Sequence, residues 1–184
     1  MTNTMEPRNR VFIATSMDGF IADKNNSIDW LNDIPSDEND DHGYGAFMEQ
    51  TDALVMGRKT FETVDGFGVD WPYTKPVYVV SNTMKEVPEK YQGKITLLGG
   101  TPPELLERIH ALGHTQLYID GGSTIQHFLQ HDLIDEMIIT TIPVLLGEGV
   151  SLFGVLPHPL DFQCVSTSNP MAFLSQSHYI RRRG

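Results

Sequence analysis

The stretch Leu117-Tyr-Ile-Asp-Gly-Gly-Ser-Thr-Ile125 passes from an apolar, β-forming run through a carboxylate and two glycines into a polar helix start. Ile125, Phe128 and Leu129 then recur at helical spacing, so the segment reads as strand, tight turn and helix. Ser123-Thr-Ile-Gln126 has the capping-box pattern that opens such a helix. Gly121 and Gly122 permit close backbone approach, and a helix start leaves N–H groups free for an anion. The spacing is not the G-x-G-x-x-G fingerprint of dinucleotide folds.

The same unit repeats on both sides of that stretch. Residues 11–16, 53–56, 77–81, 95–98 and 116–119 read as short strands, and none alternates strictly, which suits strands covered on both faces. Thr101-Pro-Pro-Glu104 predicts a helix start, with Thr101 as N-cap and Glu104 reaching back; Leu105, Leu106, Ile109 and Leu112 form its apolar face and Gly113 ends it. Further helices are expected over residues 39–50 and from Lys59. The run MIITTIPVLL (137–146) reads as a strand that Pro143 interrupts or puts at an edge, and a last strand falls within residues 172–180. Strand and helix alternate, so the expected architecture is α/β: a mostly parallel mixed sheet, helices on both faces and antiparallel C-terminal strands. Residues 1–10 are expected as a loose tail, 11–181 as a single domain, and Arg181, Arg182 and Arg183 as a solvated end.

Composition narrows the function. The chain has 184 residues and a formal net charge of −11, from 24 acidic and 13 basic side chains, so it carries no broad basic footprint for nucleic acid. No apolar run is long enough to cross a membrane, and residues 1–10 lack the apolar centre of a secretory signal, so a cytoplasmic address is expected. Cys164 is the only cysteine, which excludes an intrachain disulfide and cysteine-rich metal sites; a buried free thiol is expected. The pairs His110/His114 and His127/His131 lack the glutamate of H-E-x-x-H, and no metal site is expected.

Three segments point to anion binding at the carboxyl ends of strands. Gly57-Arg58-Lys59-Thr60 combines a helix start with two cations, although Asp52 replaces the earlier glycine of a phosphate-binding P-loop. Ser81-Asn82-Thr83 offers hydroxyl and amide groups, and Gly121-Gly122-Ser123 offers backbone amides. Three such places on one rim suit an extended ligand with several anionic groups.

Five segments in order carry a family resemblance: ATSMDGFIA (14–22) followed by Trp30, MGRKTFE (56–62), VVSNT (79–83), YIDGGSTI (118–125) and PVLLGEGVSLF (143–153). The chain resembles the dihydrofolate reductase fold family, and within it the C-terminal reductase domain of the riboflavin-biosynthesis deaminase/reductase. The zinc deaminase half of that enzyme is absent, since no H-x-E with P-C-x-x-C occurs. The resemblance implies a three-layer dihydrofolate-reductase-like fold that binds NADPH in an extended pose. Gly57, Arg58, Lys59 and Thr60 would follow the pyrophosphate and adenosine phosphate. Ser81, Asn82 and Thr83 would hold the ribose and its 2′-phosphate, and Gly121, Gly122, Ser123, Thr124 and Ile125 would cover the pyrophosphate and nicotinamide ribose. Ala14 and Ile21 would bracket the nicotinamide, under a lid over residues 23–30.

The implied activity is hydride transfer to a small heterocycle of pteridine or aminopyrimidine type, or to a carbonyl compound. The alternative is a non-catalytic NADPH-binding or sensor module. Register back from Gly57 places Asp41 at the family's acidic position, where it would anchor substrate or act as general acid, provided that its site is partly buried and its pKa raised. The acidic cluster Asp37, Glu38, Asp40 and Asp41 also reads as a solvated helix start. Trp30 and Tyr44 would wall the substrate. Lys24 and Lys75 are the only nearby cations for a substrate phosphate. Related domains pair through sheet edges, so a homodimer through MIITTIPVLL is expected.

Overall fold

The computed structural model describes residues 6–34 and 40–184. Its elements follow as β1 (Arg8–Ser16), β2 (Phe20–Asp23), α1 (Tyr44–Glu49), β3 (Ala53–Gly57), α2 (Arg58–Gly66), β4 (Val77–Val80), β5 (Ile95–Leu98), α3 (Pro102–Ala111), β6 (Gln116–Asp120), α4 (Gly122–Gln130), β7 (Glu136–Ile142), β8 (Gly149–Ser151), β9 (Phe162–Ser168) and β10 (Ser175–Arg181). The main sheet has the order β5-β4-β3-β6-β1-β7-β10-β9. From β5 to β7 every neighbouring pair is parallel, whereas β10 is antiparallel to β7 and β9 to β10. β2 and β8 form a separate two-stranded antiparallel ribbon.

Successive strand residues point to opposite faces, and here both faces are buried. Val55, Leu117 and Ile119 face one way and pack with Leu105, Ile109, Ile125 and Phe128 of α3 and α4. Leu54, Met56, Val77, Val79 and Tyr118 face the other way and pack with Phe47 of α1 and Phe61 of α2. This arrangement explains why the strands read as continuous apolar runs. Phe128, Leu54, Leu117 and Ile119 are completely or almost completely buried; truncating a residue of this kind costs about 2–5 kcal/mol.

The expected α/β sheet, the helices on both faces and the antiparallel C-terminal addition are all present. Thr101 and Glu104 form the expected capping box, with the Glu104 carboxylate accepting from the Thr101 N–H at 2.8 Å. Gly113 ends α3 in the left-handed region, at φ +87°.

Several boundaries differ from expectation. Leu112 lies beyond the last turn of α3 and is 64% exposed, so it is not part of the apolar face. α4 starts at Gly122 after an uncapped Gly121; Gln126 donates to Ser151 O at 2.8 Å, across to the ribbon, instead of closing a capping box. α1 starts at Tyr44, and Asn39 lies outside the described residues. Strand β1 begins inside the supposed tail: Asn9 and Arg10 are buried, and the Asn9 N–H donates to Asp135 Oδ2 at 2.7 Å.

At the other end, Arg181 and Arg183 pair with Asp132 and Asp135 at 2.6 and 2.5 Å, and are not a loose end. β7 stops at Ile142, just before Pro143, and is flanked on both sides by β1 and β10, so it offers no edge for pairing with a second copy. Cys164 is exposed on outer strand β9, not in the core. Among the described residues no helix is long and apolar enough to cross a membrane.

Candidate functional site

Strands β4, β3, β6 and β1 are consecutive neighbours and run parallel, so their carboxyl ends share one rim. A cavity of about 810 Å³ opens along that rim. Its geometry comes from two helix starts side by side. Met56 pairs with Asp120 across β3 and β6, and each strand turns at once into a helix, α2 after Gly57 and α4 after Gly121. The first turns of both helices thus present unpaired N–H groups and the positive ends of their dipoles to the same space.

The glycines are needed because the two starts touch. A Cβ at Gly57 would stand 2.9 Å from Thr124 Oγ1, and one at Gly121 would overlap Thr60 Oγ1. Gly121 also has φ +91°, a conformation that side chains disfavour. The cradle is therefore bare backbone rimmed by two hydroxyls. Beside it, Arg58 Nη1 donates to Thr83 Oγ1 at 3.1 Å, and Ser81 Oγ accepts from the N–H groups of Thr83 and Met84 at 3.2 and 2.9 Å. These bonds hold the turn after β4 next to the guanidinium.

The ribbon roofs the cavity. Ile21, Ala22 and Val150 line it from above, and a Cβ at Gly122 would be 3.1 Å from both Ile21 Cδ1 and Val150 Cγ1. The loop before the ribbon is tied down by Asp18, whose carboxylate accepts from Ser16 Oγ at 2.5 Å and from the N–H groups of Leu146 and Gly147 at 3.1 and 2.7 Å. The Ser16 hydroxyl bond leads in holding the Asp18 pKa below the usual carboxylate range. After β2, Asp23 Oδ1 accepts from Asn25 N and Ser27 N at 2.7 and 2.9 Å, and the following turn brings Ile28 and Leu31 to the cavity.

The same cavity is also lined by apolar and aromatic side chains, Phe12, Leu31, Val64, Phe67, Tyr73 and Tyr118, and by the carboxyl group of Asp120. Tyr118 is fixed by donating to Phe12 O at 2.9 Å. Asp120 accepts from the Gly121 N–H at 2.9 Å, yet burial outweighs that bond and pushes its pKa up to about 6. The nearby Tyr44, Tyr73 and Tyr118 hydroxyls have raised pKa values, through their own burial first and the Asp120 charge second.

Of the residues expected to hold a cofactor, all except Ile125 line this cavity; Ile125 is fully buried beneath α4. The substrate and proton-donor assignments fare differently. Trp30 and Tyr44 do not line the cavity; Tyr44 backs Phe12 and Tyr118, with ring centroids 5.5 and 6.4 Å away. Asp41 is also absent from the lining. Its two oxygens accept from Gly45 N at 2.6 Å and Gly43 N at 2.9 Å, which lowers its pKa and makes it a cap for α1. The conditions set for a general acid there are not met.

Sequence reasoning passed over Asp120, although a carboxylate directly before paired glycines at a strand end was a visible signal. It also set His127 and His131 aside as metal-ligand candidates, whereas both line the cavity.

Comparison with known proteins agrees with this architecture. A crystal structure from Shewanella sp. PV-4, whose name links it to riboflavin biosynthesis, superposes with a TM-score of 0.92 at 50% identity, covering 96% of this chain and 99% of that one. The uncharacterized protein YwjB of Bacillus subtilis (strain 168) is 33% identical over 180 residues, 96% of this chain and 99% of its own length. Dihydrofolate reductase from Enterococcus faecalis, solved with NADP(H), shares the fold at a TM-score of 0.66 and 17% identity, over 96% of this chain and 97% of that one. The model of the RibD C-terminal domain matches residues 9–170, and the chain belongs to that family.

Proposed function

We propose that this chain is an NADPH-dependent reductase of a small heterocyclic acceptor, of pteridine or aminopyrimidine type, or of a carbonyl compound. The observation that carries the reading is the bare-backbone cradle between two helix starts, in a cavity that also holds the half-buried Asp120 carboxyl group and a set of apolar and aromatic side chains. A pyrophosphate fits that cradle, because close backbone approach and convergent N–H groups are what such a group needs.

In this reading Gly57, Thr60, Gly121, Gly122, Ser123 and Thr124 take the pyrophosphate and nicotinamide ribose. Arg58, Lys59, Ser81, Asn82 and Thr83 take the adenosine ribose and its 2′-phosphate, and Ala14 and Ile21 flank the nicotinamide. Ile125 serves the core instead. When bound, the reduced nicotinamide supplies a hydride to the acceptor carbon. The ribbon and the turn carrying Ile28 and Leu31 exclude water from that place. Asp120 replaces Asp41 as the proton source: its carboxyl holds a proton up to about pH 6 and faces the acceptor chamber, where the reduced nitrogen or oxygen needs one.

The E. faecalis dihydrofolate reductase, solved with NADP(H), supports the cofactor through its shared fold. Self-association stays within this proposal, but through exposed outer strand β9 instead of β7; sedimentation at the monomer mass would remove it. Thermal unfolding with equal concentrations of NADPH and NADH tests the main reading, since a native-state ligand raises stability by RT ln(1 + [L]/Kd). A larger rise with NADPH supports it, and no rise at about millimolar ligand defeats it. Binding without turnover of any acceptor would favour the sensor alternative.

A further inference from the structure

The cavity changes character along α2. Arg58 and Lys59 stand at the start of that helix, beside Thr83, whereas Val64 and Phe67 lie about 9 and 13 Å further along its axis. Phe12, Leu31, Val64, Phe67, Tyr73 and Tyr118 line the same cavity and, with Asp120, the only Asp or Glu among the described lining residues, make up the acceptor chamber of the reading above. Among the described residues, Arg58 and Lys59 are the only Lys or Arg side chains lining the whole cavity; both belong to the first turn of α2, and Arg58 is bonded to Thr83 after β4. Residues 35–39 contain no Lys or Arg.

Three cations close in sequence to these residues, Arg10, Lys24 and Lys75, do not line the cavity. Lys24 pairs with Glu148 at 2.9 Å on the exposed side of the ribbon. Lys75 lines a second cleft with Lys94 and Asp70, on the other side of Tyr73, which borders both. Arg10, close in sequence to Phe12, is buried and donates to Gln50 O at 2.8 Å and Thr51 Oγ1 at 3.1 Å. His127 and His131 line the cavity from α4, and His131 Nδ1 bonds to His127 O at 2.9 Å, one turn back along that helix. A phosphate or carboxylate on the acceptor would thus enter an apolar chamber that offers no cation and already holds a carboxylate, losing its hydration without compensation.

Building on the reductase reading, we infer that the acceptor is an uncharged, planar conjugated heterocycle without a phosphate or carboxylate group, seated among Phe12, Leu31, Val64 and Phe67 with a ring heteroatom toward Asp120. Flat aromatic walls favour a planar ring, and the lone carboxyl group fixes its orientation. The chamber selects against anionic relatives of the same ring.

The test uses 6-methylpterin and 6-carboxypterin, which share a ring and differ in one charged substituent. Their dissociation constants are measured by fluorescence titration at neutral pH, with and without saturating NADP⁺, alongside thermal unfolding with NADPH. The expected result is binding of 6-methylpterin at least tenfold tighter (~1.4 kcal/mol). Equal affinity, a preference for 6-carboxypterin, or binding of neither overturns the inference. Phe67→Arg adds a cation to the chamber at a half-exposed position that tolerates it, and should narrow or reverse the ratio; an unchanged ratio overturns the placement of the acceptor. If NADPH fails to stabilise the chain while the tenfold preference persists, the reductase reading falls and the charge selection stands. If NADPH binds and the preference is absent, only the charge selection falls.

Discussion

Thr60 Oγ1 occupies the space in which a side chain on residue 121 would begin, so the hydroxyl of α2 and the bare Cα of Gly121 are complementary surfaces. The pair couples two helices that are about 60 residues apart in sequence but begin at the ends of adjacent strands. Gly121→Ala should cost about 2–4 kcal/mol, combining steric overlap with strain at positive φ. Urea unfolding measures this, and adding Thr60→Ala should restore the part due to overlap while leaving the part due to φ.

The guanidinium of Arg58 is already directed at Thr83, where the adenosine 2′-phosphate is proposed to sit. Arg58→Ala should weaken NADPH about tenfold, the scale of a charge-assisted hydrogen bond, and leave NADH nearly unchanged. Calorimetric titration with both cofactors checks it; an equal loss for the two would place Arg58 on the pyrophosphate instead.

Asp120 predicts a pH dependence with a definite sign. Burial raises its pKa to about 6 in the folded chain, above the ordinary carboxylate value of 3.8. The folded state is therefore favoured by this group while it is protonated, and that advantage is lost as pH rises from about 4 through about 6. Asp120→Asn should unfold with the wild-type profile near pH 4 and be more stable above pH 6, by about 2–3 kcal/mol. If Asp120 is the proton source, the same variant should lose roughly 10²–10⁴-fold in turnover. The wild-type rate should fall as pH rises through about 6.

Asp18 ties the loop before β2 to the residues 146–147 loop. Asp18→Ala should release the ribbon, which hydrogen exchange would show as faster exchange confined to residues 20–23 and 149–151. NADPH affinity should fall several-fold with the sheet unaffected. Because these bonds depress the Asp18 pKa, the wild-type ribbon should loosen in the same way as pH falls through that lowered value.

The sheet was readable because its strands are buried on both faces, which leaves continuous apolar runs such as Ala53 to Met56. The elements that escaped are short or exposed. β2 and β8 have four and three residues and no periodicity to detect, while β9 exposes Cys164 and Val165 and lacks an apolar stripe. The anion rim was legible since glycines, hydroxyls and cations after strands carry local signals. The proposed acceptor chamber was not, because it is assembled from β1, the turn after β2, α2, the segment bearing Tyr73 and β6. Asp41 was misread for a related reason. Register identifies a position, but whether a carboxylate there meets solvent, a helix start or a cavity depends on three-dimensional neighbours.

Strand β1 precedes the other strands of the sheet in sequence and sits centrally among them, yet Arg8 pairs with Gln116 and Arg10 with Glu136. During synthesis, therefore, the first strand has no sheet partner until more than a hundred residues have followed it, and its apolar side chains wait exposed. Closing such distant pairs slows folding, and it makes this nascent segment the part of the chain most in need of protection before β6 and β7 emerge.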